Sequence, residues 1–426
     1  MFGTIFSIVI GGLLIFIPPA KEILPSMAGV SFLLIGVSLL MLLSATIALV
    51  ISWSPLQKIE QNLTPRLIDL FSNDKQVFYF TTFIFMFPLF TLIICSELAY
   101  FHYFRPVFGI GLWTILFGLS IDALLLLIRR ILSYLNPFSI VNHFTNQAIE
   151  SIQEEEDIDL LHWIDALSEI GVKAVTRTLP SLAMKAIDDL QEICHTYLES
   201  AKSIAHHNTE RTAKDLGGTD KVSYTLFYLF QRLELINEKA LDQRMEPICS
   251  HLVTTLGKVS ISAAHFDISL ASYPLHYIGK FAGKAQDEEI DEVTEKATCT
   301  LLEVGRIILE EVDVRYLDIK EPFLCIIQHM EEFAKYTFSQ DKSININILT
   351  QPFHEMKVFF DQDKVANHQD TPTIVSDLDR VINQFDQLEL VMKTIPRIDL
   401  PDEIEDSGEG LSDQTKKQTE VTESPD

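Results

Sequence analysis

Two carboxylates interrupt otherwise apolar stretches of this chain, Glu97 and Asp122. A charged group inside a hydrocarbon layer is costly, so one that is kept there often marks an ion path, a proton relay or a tight pairing. Glu97 falls near the end of its apolar run, and Asp122 falls in the last third of the next. The two therefore sit at different depths. Asp122 is expected to be neutralised by Arg129 or Arg130, about two helical turns beyond it, or by water at the interface. The placement favours packing or interface roles for both acids over transport.

Other chemistry is sparse. His265, Asp267, Ser269 and His276 cluster in sequence and invite a hydrolase reading. No strand–turn–helix pattern surrounds Ser269, so solvated surface is the expectation. His206-His207 has no cysteine or carboxylate at metal-ligand spacing, and no metal site is expected. Cys95, Cys194, Cys249, Cys299 and Cys325 are widely spaced, mostly on apolar helical faces, which reads as core packing in a reducing compartment. There is neither a GxGxxG nor a GxxxxGK[ST] loop, so no cofactor is expected and an enzyme ranks third among function classes.

The elements that would hold Glu97 and Asp122 follow from composition. The 426-residue chain carries 33 Lys and Arg against 59 Asp and Glu, a net charge of −26. From Met1 to Arg130 there are seven basic and six acidic residues, so nearly all the excess acid lies beyond. A neutral apolar third followed by an acidic remainder reads as a membrane domain, residues 1–135, joined to an aqueous one. Four apolar runs predict spans near 2–17, 27–53, 77–101 and 106–128. A crossing helix needs about 20 apolar residues, which the last three supply; the first is short.

Basic residues set the orientation. The connection 54–76, SPLQKIEQNLTPRLIDLFSNDKQ, carries Lys58, Arg66 and Lys75, and the exit of the fourth run carries Arg129-Arg130. The two opposite connections carry Lys21 and Arg105, one each. The richer side is cytoplasmic by the positive-inside rule, which puts both termini there. Within 54–76, Leu63, Leu67, Ile68, Leu70 and Phe71 fall at helical spacing after Thr64-Pro65, a cap and a first-turn proline. That short helix either lies on the membrane surface or packs on the protein. Pro88 is expected to kink the third span.

Beyond Asn136-Pro137 the apolar spacing is helical almost throughout, over 138–395. The run His206–Lys221, with Gly217-Gly218, reads as a loop, and Ile344–Ile348 shows strand-like alternation. Structure is expected to thin after Lys342. Gly171, Gly257 and Gly305 each follow an aliphatic residue within a predicted helix, 86 and then 48 positions apart. Such glycines suit close helix crossings, either in a weak repeat of about 43 residues, which would make the domain α-solenoid-like, or in an irregular helical bundle. Arg397–Asp426 holds ten acidic residues and few apolar ones, and is expected to be disordered. The acidity argues against nucleic acid and against adhesion to anionic lipid heads.

Thr64-Pro65-Arg66-Leu67-Ile68, then Phe71, Asp74 and Gln76, resembles the loop before an apolar run in a family of predicted bacterial integral membrane proteins of unknown function. Ile170-Gly171-Val172-Lys173-Ala174-Val175 and Ala186-Ile187-Asp188-Asp189-Leu190 are similar to that family's cytoplasmic signature. The signature's Ser-Pro-Gly-Ile-Asn-Asp-like centre is replaced here by Thr176–Ser181, and the family's long outer loop is nearly absent. The resemblance, over Trp53–Leu190, implies the architecture of a diverged member and brings no catalytic residue. The sequence thus predicts an all-α polytopic protein of a bacterial inner membrane with a cytoplasmic interaction domain acting as scaffold or regulator. The alternative is a channel or transporter subunit gated or assembled by that domain. The expected partners are the bilayer and another protein, with homo-oligomerisation left open.

Overall fold

A computed structural model describes residues 7–9, 27–62, 67–97, 106–154, 157–207 and 217–394. Among them the regular structure is entirely helical, as expected. Of the four expected spans, the run 2–17 lies almost wholly outside the described residues, as do Thr64-Pro65 and the acidic tail.

Three described helices are long and apolar enough to cross a membrane: α1 (Met27–Asn62), α3 (Lys75–Ser96) and α4 (Pro106–Tyr134). Both α1 and α4 outrun the apolar segments expected at 27–53 and 106–128, and residues 54–62 of the 54–76 connection continue α1. Pro55 and Pro88 are both accommodated inside continuous helices. α3 packs on α4 and both contact α1. A small core of Leu34, Met41, Phe87, Cys95 and Trp113 fills the space between them. There Trp113 Nε1 donates to Thr91 Oγ1 at 3.0 Å, so the buried indole is satisfied inside the bundle. Between the spans, α2 (Leu67–Asn73) buries Leu67 and Phe71 in the main core. Its helix contacts are with α1 and α3, the apolar helices on either side of it.

The remaining helices are α5 (Pro137–Gln153), α6 (Asp157–Thr176), α7 (Pro180–His207), α8 (Gly217–Asp242), α9 (Glu246–Phe266), α10 (Ser272–Asp287), α11 (Asp291–Glu311), α12 (Lys320–Gln340), α13 (Ile346–Phe360) and α14 (Thr371–Thr394). Each packs on the next helix and on the next but one. That pattern makes two layers, α6-α8-α10-α12-α14 and α5-α7-α9-α11-α13. Side-chain registers show that helices within a layer run parallel. Asp165 meets Tyr228 and Arg232, Glu234 meets Lys280 and Lys284, and Gln286 meets Tyr336.

Close crossings use glycine as anticipated. A Cβ on Gly171 would lie 2.7 Å from Ile236 of α8, and one on Gly257 2.5 Å from Thr300 of α11. The clearest recurrence is in the turns. Thr178, Arg244 and Glu289 link α6 to α7, α8 to α9 and α10 to α11, all with positive φ between 50° and 59°. In each turn that residue's N–H bonds the carbonyl three back, and the next N–H bonds the carbonyl of Ala174, Ala240 or Ala285. This is a Schellman closure, with the aliphatic residue Leu179, Met245 or Ile290 following it.

Three sequence expectations need correction. Gly217-Gly218 open α8 rather than belonging to a loop, and α7 runs on through His207; only 208–216 lie outside the described residues. Ile346–Ile348 begin α13 rather than a strand. Asn345 caps it by accepting from Asn347 N–H at 3.1 Å, and Ile346, Leu349, Phe353, Met356 and Phe360 form one buried helical stripe. Structure does not thin after Lys342, because α13 and α14 pack on each other and on α11 and α12.

Candidate functional site at the joint between spans and helical domain

Asp74 is the residue between α2 and α3. Its Oδ1 accepts from Gln76 N–H at 2.8 Å and caps α3. Its Oδ2 takes two donors from the far end of α4, Arg130 Nε at 2.6 Å and Tyr134 OH at 2.8 Å. The carboxylate side chain is 6% exposed. Burial alone would raise its pKa; the donors from Arg130, Tyr134 and Gln76, with the guanidinium charge, outweigh that and hold it below the usual carboxylate value. Around the ion pair, Phe71 meets Tyr134 edge-on at 5.6 Å, and Arg130 lies 5.3 Å from the Tyr134 ring centre.

α5 starts three residues after Tyr134, capped by Asn136 and opened by Pro137. His143 of α5, with Leu67, Arg130, Tyr134 and Ser139, lines a cavity of about 50 Å³, room for a water or two. Burial, then the charge of Arg130, pushes the His143 pKa down, so a neutral imidazole faces the guanidinium. Sequence elements 60 positions apart are thus joined at one carboxylate. Chemically the arrangement is a charge-assisted clamp, strong because ionised groups share short hydrogen bonds away from water.

Asp122 lies buried within α4, eight residues before Arg130, or about 12 Å along the axis. The guanidinium of Arg130, one of the groups expected to neutralise Asp122, is bound to Asp74. Glu97 is half-buried and caps the C-terminus of α3, its N–H bonded to the carbonyls of Ile93 and Ile94. Asp122 is sixteen residues into α4, about 24 Å from its start, so the two acids stand apart as expected.

No family model matches the sequence, and no curated protein matches it. Among solved structures the chain is similar to a circular tandem repeat protein with novel repeat topology and enhanced subunit contact surfaces. That likeness has 14% identity and a TM-score of 0.36, over 86% of this chain and 87% of the other. A second likeness is to the DHF58 filament, at 12% identity and a TM-score of 0.22, over 60% of this chain and 98% of the other. Both are too remote to bear on fold or function.

The His265–His276 cluster separates into three unrelated contacts. His265 faces Glu311 at 3.4 Å, Asp267 caps the turn Ile268–Ala271 through Ser269 N–H and Oγ, and His276 lies against His329 with ring centres 5.5 Å apart and the rings tilted by 44°. Among the described residues no group of three metal-ligating side chains converges. The side chains of His206 and His207 lie outside the described part of the structure. Cys95, Cys194 and Cys249 are buried, as core packing predicts, whereas Cys299 is exposed. Burial pushes the Cys194 and Cys249 thiols up to about 12, which leaves them inert as nucleophiles.

Sequence reading missed Asp74 and Tyr134 as partners. Asp74 was legible only as a polar residue before a span, with a cap's spacing to Gln76. Nothing local in the sequence pairs it with a tyrosine 60 positions on. A second concavity, about 1040 Å³, opens between α12 and α14, lined by Lys320, Leu324, Gln328, Glu331, Asp377 and Arg380. Glu331 there is bound by Arg380 at 2.8 Å and by Lys335.

Proposed function

We propose that this protein is a membrane-anchored scaffold or regulator whose acidic helical domain, an α-solenoid of residues 138–394, binds proteins on the cytoplasmic side. The single observation that supports this most is the continuous two-layer stack, fastened to the spans at Asp74, Arg130 and Tyr134. In such stacks each helix pair contacts only its neighbours, so the faces stay open for long partners. We read the membrane part as four spans in a bacterial cytoplasmic membrane with both termini inside, by the basic residues of 54–76 and 129–130. Kinship to the family of bacterial membrane proteins of unknown function belongs to the same proposal.

A channel or transporter subunit is the second reading, and burial of Asp122 within the spans is what favours it. The two readings separate by experiment. Purification of the intact chain from membranes is expected to retain a stoichiometric protein partner, in wild type and Asp122→Asn alike, and to lose it when 157–394 are deleted. A solute flux in proteoliposomes that Asp122→Asn abolishes would overturn the scaffold reading.

A further inference from the structure

The outer face of the layer α6-α8-α10-α12 carries exposed apolar side chains, Ile158, Tyr224, Phe227 and Tyr273, with the half-buried Leu161 and Leu324 between and beside them. The contact of Tyr228 with Asp165, 2.7 Å, sets α6 against α8, and one turn earlier Leu161 stands level with Tyr224. Phe230 meets Tyr277 with ring centres 5.3 Å apart, which sets α8 against α10 and puts Tyr273 level with Phe227. Cys325 lies against the Ser272 carbonyl, so Leu324 of α12 comes next, at the mouth of the groove between α12 and α14. Ile158 is 85% exposed, Tyr224 59%, Tyr273 48% and Phe227 47%. A contiguous row of this kind in a charged, soluble domain marks an interaction surface, and tyrosines are the side chains that anchor such surfaces best.

Charge identifies the occupant. Asp159 and Glu321 are exposed beside the two ends of the ladder. Nearby cations are largely met within the chain: Arg232 is 2.6 Å from Asp165, and Lys280 is 2.7 Å from Glu234, leaving Lys320 at the groove end. A second copy of this chain would bring the same net charge of −26 to the row. The segment 208–216, NTERTAKDL, has too few apolar residues to cover the row. Four neighbouring helices at about 10 Å spacing span roughly 30 Å, the length of a helix of about 20 residues.

We propose that the ladder Ile158–Leu161–Tyr224–Phe227–Tyr273 docks a basic amphipathic helix of about 20 residues from a partner protein, laid across α6 to α12. This deepens the scaffold reading and rests on it. Two experiments test the site separately from that reading. First, the full chain in zwitterionic nanodiscs is titrated with a labelled 20-residue peptide of leucine and lysine at helical spacing, against its glutamate counterpart and empty discs. The lysine peptide is expected to bind, at least tenfold more weakly to Tyr224→Ser/Phe227→Ser and unchanged to Val358→Ser on the other layer; equal binding to all three, or preference for the glutamate peptide, overturns the site. Second, a photo-cross-linking residue replaces Tyr224 or Phe227 in cells, with Glu192 on α7 as control. Cross-links from 224 and 227, absent from 192, mapped to one basic amphipathic segment support the proposal. Cross-links to 208–216, to a second copy, to lipid or to nothing overturn it; if a partner still co-purifies, only the docking site falls, and if none does, the scaffold reading falls as well.

Discussion

Arg130, four residues before the end of α4, donates from Nε to Oδ2 of Asp74 at 2.6 Å, across 56 positions of sequence. The pair ties the start of α3 to the end of α4, just before the helical domain begins. A basic residue read from the sequence as a topology signal is a structural partner as well.

Weakening that clamp should loosen the joint without unfolding the helices. Tyr134→Phe removes one hydrogen bond to a carboxylate and is expected to cost about 1.5 kcal/mol, with Asp74→Asn costing more, up to about 3. Both should speed proteolysis near 63–66 in nanodiscs before any loss of helical circular dichroism. The pH dependence has a definite sign. Because the folded Asp74 sits below its ordinary value of 3.8, its contribution is complete above that value and lost as pH falls through the lower, folded one. An unchanged digestion rate in Tyr134→Phe would mean the hydroxyl contributes nothing.

Topology is testable with single cysteines on a background lacking the native ones. Asn62→Cys is expected to be shielded from an impermeant maleimide in intact cells, and Tyr103→Cys to react. Labelling at 62 from outside would reverse the orientation drawn from Lys58, Arg66 and Lys75.

The three turns hold L-residues in left-handed conformation, which costs about 1–2 kcal/mol each relative to ordinary backbone. Glycine adopts it freely but loses more freedom on folding, by about 0.5–1 kcal/mol. Arg244→Gly and Glu289→Gly should therefore each stabilise the domain by about 0.5–1 kcal/mol, read as a rise in Tm, while the matching alanines should not. Equal melting of glycine and alanine variants would show that the turns carry no such strain.

The crossing of α10 and α12 is set to weaken in acid. Gly279 admits His329 so closely that a Cβ there would lie 2.2 Å from Nδ1. Burial holds the His329 pKa below its ordinary value of 6.5; the bond to Glu332 opposes this and the nearby His276 reinforces it. The unfolded chain then takes up the proton first, so this site's stability is complete above about 6.5 and declines as pH falls below it. His329→Gln should melt less steeply with acid than wild type. Identical slopes would exclude His329 as the source.

Much was settled by the sequence alone. Apolar runs interrupted only by Glu97 and Asp122 require membrane-length helices, and apolar spacing of three and four residues requires helices with one buried face. Both are properties of consecutive residues, so they are legible without a partner. Gly171 and Gly257 could even be assigned to close crossings, since a mid-helix glycine is costly unless something approaches it. The strand read at Ile344–Ile348 failed because five residues cannot distinguish the two periods; the stripe reaching Phe360 decided it. What only the tertiary structure fixed are pairings between distant segments: Arg130 with Asp74, Tyr228 with Asp165, Phe230 with Tyr277, and the separation of His265 from His276. These depend on how helices are set side by side, which the summed packing of the whole core determines and no local pattern encodes.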